Sequence, residues 1–134
     1  MKQDFDSTSR ADLINYRIER AHEALQEAQY NQRGGYFNTA VNRLYYAVYY
    51  AASALMLKEE LDASTHAGIK TLLGLKFIKT GKLDISYGRT YQQLFECRQS
   101  GDYDDFTFYD SDFVDALYPD AVRFVEKISD MAKH

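Results

Sequence analysis

Residues 34–58, GGYFNTAVNRLYYAVYYAASALMLK, decide the fold. Phe37, Ala40, Val41, Leu44, Val48, Ala51, Ala52 and Leu55 recur at three- and four-residue spacing, which is one face of an α-helix. Arg43, Tyr46, Ala47, Tyr50 and Ala54 form a second stripe at the same spacing. A helix that is apolar around most of its circumference is buried around most of it, so other helices must wrap this one. Its unusual feature is the polar step Asn42-Arg43 beside a run of tyrosines, because polar groups near a core need partners.

Upstream, Ser9-Arg10-Ala11-Asp12 has the spacing of a capping box. Ala11, Ile14, Ile18, Ala21, Leu25 and Ala28 then make a narrow seam that predicts an amphipathic helix to about Asn31. His22 falls at the edge of that seam and reads as a surface histidine. Gly34-Gly35 stops this helix and reverses the chain, so the first two helices should be antiparallel neighbours. Residues 1–8 are expected to form a flexible lead-in to a single helical domain spanning 9–134.

Downstream, Ser64 or Thr65 is a candidate N-cap for a third helix through about Ile78, with Ile69, Leu72, Leu73 and Phe77 inward. Thr80-Gly81 ends it, and Asp84 or Ser86 starts a fourth helix with the stripe Tyr87, Tyr91, Leu94 and Phe95. Arg98 extends that stripe: its head either snorkels to water or meets an acid or a ligand, and Asp102 lies one turn away. Residues 101–110, GDYDDFTFYD, read as an acidic, aromatic loop. A last helix begins near Asp110 or Ser111, with Val114, Leu117, Ala121, Phe124, Ile128 and Met131 inward and Pro119 predicting a kink or a break. The expected architecture is all-α, an antiparallel bundle of four or five helices.

Composition bounds the function. The chain has 134 residues, 46% hydrophobic and 27% charged, with 12 Tyr, 8 Phe, no Trp and a net charge of −4. By thirds the charge runs −1 over residues 1–60, +3 over 61–100 and −6 over 101–134, so only the middle can offer a basic patch. Cys97 is the single cysteine, which rules out an intramolecular disulfide and fits a reducing compartment. No secretory leader is evident, and the longest apolar run, Tyr45 to Leu57, is too short to span a bilayer. A cytoplasmic protein with no membrane partner is expected.

There is no glycine-rich phosphate loop, no CxxC and no HExxH, and no cofactor is expected. Asp102, Asp104 and Asp105 lack the spacing of a calcium loop and read as a solvated turn. Cys97, beside a core stripe, reads as structural. What remains is Arg98 with Tyr103, together with Asn42, Arg43 and Tyr46 on the central helix.

At these residues the sequence resembles small, free-standing HEPN-domain proteins. The run YFNTAVNRLYYAVYYAASALML carries their Asn-Arg-x-Tyr-Tyr-Ala step on the second helix. Thr65–Ile69, Phe77–Leu83, and Leu94–Gln99 through Asp102-Tyr103 resemble the segments that follow, and the likeness covers roughly Ala21 to Ile128. It implies a helical bundle, commonly homodimeric, acting with RNA or beside a nucleotidyltransferase partner. Catalytic members are similar to metal-independent ribonucleases marked by an arginine, four to six residues, then a histidine. The histidine would act as general base or acid on a ribose 2′-hydroxyl while the arginine clamps the phosphate.

This chain departs from that pattern. The three positions where the histidine could fall hold Tyr103, Asp104 and Asp105. A tyrosine with a reference pKa of ~10 is a poor base at neutral pH. His66 could supply an imidazole only from another helix. A purely structural reading stands beside the functional one: Arg43, Arg98, Asp102 and the tyrosines could form a buried network tying helix two to helix four. The favoured expectation is a non-catalytic binding module, dimeric, engaging RNA, a nucleotide-bearing ligand or a nucleotidyltransferase through Arg98, with Asn42, Arg43, Tyr46, His66 and Asp102 as binding residues. The alternative is a toxin-like ribonuclease using Arg98 with Tyr103 or His66.

Overall fold

A computed structural model describes residues 7–104 and 106–134, the side chains of Ser7 and Tyr103 excepted. The protein is all-α, with helices α1 (Ser7–Arg33), α2 (Phe37–Lys58), α3 (His66–Leu73), α4 (Ile85–Tyr103) and α5 (Ser111–Lys133). A π-helical turn, Gly74–Ile78, continues α3. As its periodicity predicts, α2 is the centre: α1, α5, α4 and α3 all pack on it. Twelve of its residues are buried, from Ala40 to Met56.

Alanines set the spacing. Ala21, Ala24 and Ala28 of α1 and Ala40, Ala47, Ala51, Ala52 and Ala54 of α2 are fully buried, so small side chains let the backbones approach closely. Larger side chains, Leu44, Leu55, Phe77, Tyr91, Phe124 and Ile128, fill the space towards the other helices. α1 and α5 run antiparallel. Gln32 near the end of α1 donates to Ser111 Oγ (3.1 Å) and Asp115 Oδ1 (2.7 Å) at the start of α5. At the opposite end, Arg10, Ala11 and Ile14 of α1 share a cavity of about 490 Å³ with Lys58, Ala132 and Lys133.

The ends of the helices explain where the chain turns. After α1, Gly35 takes a positive φ of 83° while Tyr36 N–H bonds Asn31 C=O (2.8 Å) and Gly35 N–H bonds Gln32 C=O (3.1 Å). This crossed pair is a Schellman stop, and the left-handed residue suits glycine. Gly81 repeats the device after the π turn, with Lys82 N–H on Phe77 C=O and Gly81 N–H on Ile78 C=O. Three helix starts are capped as the sequence predicts: Thr65 Oγ1 accepts from Gly68 N (3.0 Å), Asp84 from Ser86 N (3.0 Å) and Asp110 from Phe113 N (2.9 Å).

Several expectations need correction. α1 begins at Ser7 rather than Ser9 and ends at Arg33, and Ala11 is exposed. The rest of the lead-in, residues 1–6, lies outside the described residues. α4 does not stop before Gly101 but runs on to Tyr103, so the first three residues of the expected loop are helical. Pro119 does not break α5, which is continuous from Ser111 to Lys133. The proline occupies an exposed position, and Asp115, whose carbonyl loses its helical partner, is exposed too, so water can satisfy that carbonyl.

Candidate functional site

The extension of α4 is what builds the site. It places Asp102 one helical turn beyond Arg98, and Arg98 Nε lies 3.0 Å from Asp102 Oδ2. Asn42 of α2 donates to the same carboxylate oxygen at 2.9 Å. Its own carbonyl oxygen accepts from Arg43 Nε (3.1 Å) and Nη2 (2.7 Å). Arg43 Nη1 reaches Glu27 Oε1 of α1 at 3.5 Å. Arg98 Nη2 donates to the Tyr46 hydroxyl at 3.2 Å. One polar chain thus runs from α1 across α2 to α4.

Aromatic rings floor this chain. The Arg43 guanidinium stands 4.8 Å from the centre of the Tyr46 ring, and that of Arg98 stands 5.5 Å from both Tyr45 and Tyr46. Burial pushes the Tyr45 hydroxyl up to about 12, so it stays neutral and offers Arg98 a ring face rather than a phenolate. The side chains of Arg98, Arg43 and Asp102 keep 18, 26 and 29% of their surface exposed. The network that a structural reading of the sequence expects between the second and fourth helices is formed, and in this strip these three side chains keep part of their surface exposed.

Asn42, Arg43, Tyr46, Arg98 and Asp102 come together. His66 does not join them. Its ring stacks on Phe95 (3.6 Å between centres, 11° between planes) and on Tyr91 (4.8 Å, 4°), and its Nε2 faces Gln92 Oε1 at 3.4 Å. Tyr45, 6.0 Å away, is the element it shares with Arg98. Burial holds the His66 pKa below 6.5, and its Nδ1 is buried without a hydrogen-bond partner among the described residues, which disfavours the imidazolium.

Of the three positions after Arg98, Tyr103 is the last helical residue, Asp104 caps the helix and Asp105 lies outside the described residues. The Asp104 carboxylate accepts from Phe106 N at 3.0 Å, a bond that draws its pKa down. Among the described residues, no group of three or more His, Cys, Asp or Glu side chains gathers as a metal site would require. Cys97 is half-buried, with its thiol pKa raised by burial.

Sequence reasoning missed three participants. Tyr45 is buried beneath Arg98, a place signalled by its position four residues after Val41 and three before Val48. Glu27, the partner of Arg43, lies on another helix, and no sequence spacing announces it. Asn38 is the third. Its amide donates to Gly101 O (3.3 Å) and Thr107 O (2.9 Å), and its oxygen accepts from Tyr109 N (2.9 Å), fixing the end of α4 and the following stretch to α2.

An Asn-Arg step on a central helix, facing an arginine on the fourth, is the arrangement that the sequence resemblance anticipates. The chain matches the HEPN domain family over residues 14–133. It belongs to the HEPN family. It is also similar to a UPF0332 protein of Thermotoga maritima, 34% identical over 116 residues, covering 87% of this chain and 88% of the relative. A protein of Methanocaldococcus jannaschii named "Putative toxin MJ0605" is 31% identical over 87% of this chain and 86% of its own length. A second from that organism, "Putative toxin MJ0142", is 31% identical over 65% of this chain and 59% of its own. In this HEPN domain no described helix is long and apolar enough to cross a membrane.

Proposed function

We propose that this HEPN domain is a non-catalytic, cytoplasmic binding module that works as a homodimer and holds RNA or a nucleotide-bearing ligand at Arg98. The observation that carries the reading is the composition of the strip. Two guanidiniums, Arg98 and Arg43, lie over tyrosine rings and keep part of their surface exposed, a pairing suited to phosphate and base together. The imidazole that would move a proton is missing beside them. The family's histidine positions hold Tyr103, Asp104 and Asp105, and His66 is stacked away on Phe95. General acid–base transfer contributes on the order of 10²–10⁴-fold in rate, so a site lacking it is suited to binding. A nucleotidyltransferase is the protein partner that the family resemblance adds.

The test is cleavage of a labelled, structured RNA in EDTA, with Arg98→Ala and Tyr103→His run beside the wild type. We expect RNA retention without cleavage by the wild type and weaker retention by Arg98→Ala. Cleavage that appears only in Tyr103→His would identify a nuclease scaffold without its base. A second reading, a toxin-like ribonuclease using Arg98 with Tyr103 or His66, is favoured by the names of the two archaeal relatives. Wild-type cleavage that disappears in Arg98→Ala would establish it in place of the first.

A further inference from the structure

The strip around Arg98 does not end at Arg43. Tyr50, one helical turn beyond Tyr46 on α2, sets its ring 6.0 Å from the Tyr46 ring, with 37° between the planes. The Arg20 guanidinium of α1 stands 5.3 Å from the centre of the Tyr50 ring. This repeats the pairing of Arg43 with Tyr46, 4.8 Å apart, one turn further along the bundle. The repeat follows from the helix pair. Arg20 meets Tyr50 and Glu27 meets Arg43, so α1 and α2 are antiparallel, and residues seven apart on each lie two turns apart on one face. Tyr50 is half-buried, and the Arg20 side chain is 24% exposed against 26% for Arg43, so the two arginines are equally open to solvent. Arg20 Nη1 also donates to Glu23 Oε2 at 2.8 Å. A guanidinium carries five N–H donors, so this exposed carboxylate orients Arg20 without using up its fork.

We infer that Arg20 and Tyr50 form a second nucleotide subsite, which continues the site at Arg98 one turn along α2 and favours a single strand over a lone nucleotide. The inference rests on the RNA-binding reading above and specifies its extent. Tyr50 offers its ring to a base and Arg20 its guanidinium to the adjoining phosphate, the combination that sequence-tolerant single-strand sites use. Rings 6.0 Å apart exceed the ~3.4 Å spacing of bases stacked along one strand, so bases that meet Tyr46 and Tyr50 in turn must leave their stack. A base-paired strand would have to give up its pairing to do so. Each arginine of the strip is matched by a carboxylate: Arg98 by Asp102, Arg43 by Glu27 and Arg20 by Glu23. The strip therefore carries little net charge. Stacking, rather than bulk attraction of a polyanion, sets what it holds.

Fluorescence anisotropy of the full chain with labelled oligouridylates of about three and about eight nucleotides tests this. Arg20→Gln keeps the length of the side chain and removes its charge. Tyr50 packs partly against the core, so Tyr50→Leu keeps an apolar body and removes the ring. Each variant is expected to raise Kd for the longer probe about tenfold and to leave the shorter one unchanged, with helical circular dichroism intact. Arg98→Ala should weaken both probes. Arg20→Gln should also lower the slope of log affinity against log salt by about 0.7, and Tyr50→Leu should not, which separates the phosphate contact from the stacking contact. A wild type that binds neither probe overturns the RNA-binding reading and the inference together. A longer probe weakened by Arg98→Ala but by neither new variant overturns the subsite alone. Equal loss at both lengths in Arg20→Gln also overturns it, because Arg20 would then act on the site at Arg98. A duplex of the same length bound as tightly as the single strand overturns the unstacked mode.

Discussion

At Arg98 an anion arriving from solvent finds the guanidinium already engaged by Asp102 at 3.0 Å and by the Tyr46 hydroxyl at 3.2 Å. A phosphate competes with that carboxylate for the guanidinium. Asp102→Asn is therefore expected to raise affinity for an RNA oligonucleotide on the order of tenfold, as a titration by fluorescence anisotropy would show. Unchanged or weaker affinity would mean that Asp102 positions Arg98 rather than competing for it. His66 makes a separate prediction. Its folded pKa is lowered, so the unfolded chain takes up a proton that the folded chain resists. The stability due to neutral His66 is complete above about 6.5, the unfolded value, and is lost as pH falls through the folded value. Urea denaturation across that range should show a decline that His66→Gln largely abolishes. The lowered carboxylates, Asp84 and Asp104, titrate well below this window and do not mimic it. At this scale the sequence was legible where a residue breaks a pattern: Arg98 at the end of an apolar stripe and Asn42-Arg43 within one both proved to be in the strip. Glu27 and Asn38 break no pattern, because their partners come from distant parts of the chain.

Among the elements, three helical segments end by the same crossed hydrogen bonds, but only two have glycine at the left-handed position. α2 has Glu60, at φ 54°, with Leu61 N–H on Met56 C=O (2.9 Å) and Glu60 N–H on Leu57 C=O (3.2 Å). Glu60→Gly should raise stability by about 0.5–1 kcal/mol in chemical denaturation, the exposed ion pair with Arg10 being worth less than the backbone strain. Glu60→Ala, which keeps the strain, should give no increase; an increase equal to that of Gly would discard the explanation. At the other type of terminus, Asp110→Ala removes the cap of α5 and should cost about 1 kcal/mol by the same measurement. These cases show why some boundaries were readable. Glycine and a capping oxygen announce a turn through their own chemistry. Glu60 does not, although it takes the left-handed conformation. Pro119 announced a kink or a break; α5 does not break there, since the buried seam on either side, Val114, Leu117, Ala121 and Phe124, holds the helix together across it.

For the molecule as a whole, the periodicity of α2 was enough to give the bundle, because a helix buried on most sides admits few arrangements of its neighbours. Leu44, fully buried at its middle, should be among the costliest positions to truncate: Leu44→Ala is expected to lose about 2–5 kcal/mol in denaturant titrations. The candidate site was less legible than the core, since it depends on side chains meeting across three helices. If RNA is the ligand, log affinity should fall linearly with log salt, and Arg98→Ala should flatten the slope by about 0.7, the amount expected when one single-strand phosphate is no longer neutralised. A slope unaffected by Arg98→Ala would place the phosphates elsewhere. Finally, the cavity shared by Arg10 and Ile14 with Ala132 and Lys133 puts the first and last helices side by side at one end of the bundle. The linear order of the helices is then dispensable to the packing. A circularly permuted chain, with residues 134 and 7 joined by a short flexible linker and new ends opened in the exposed stretch at Asp62, should fold to the same helical content.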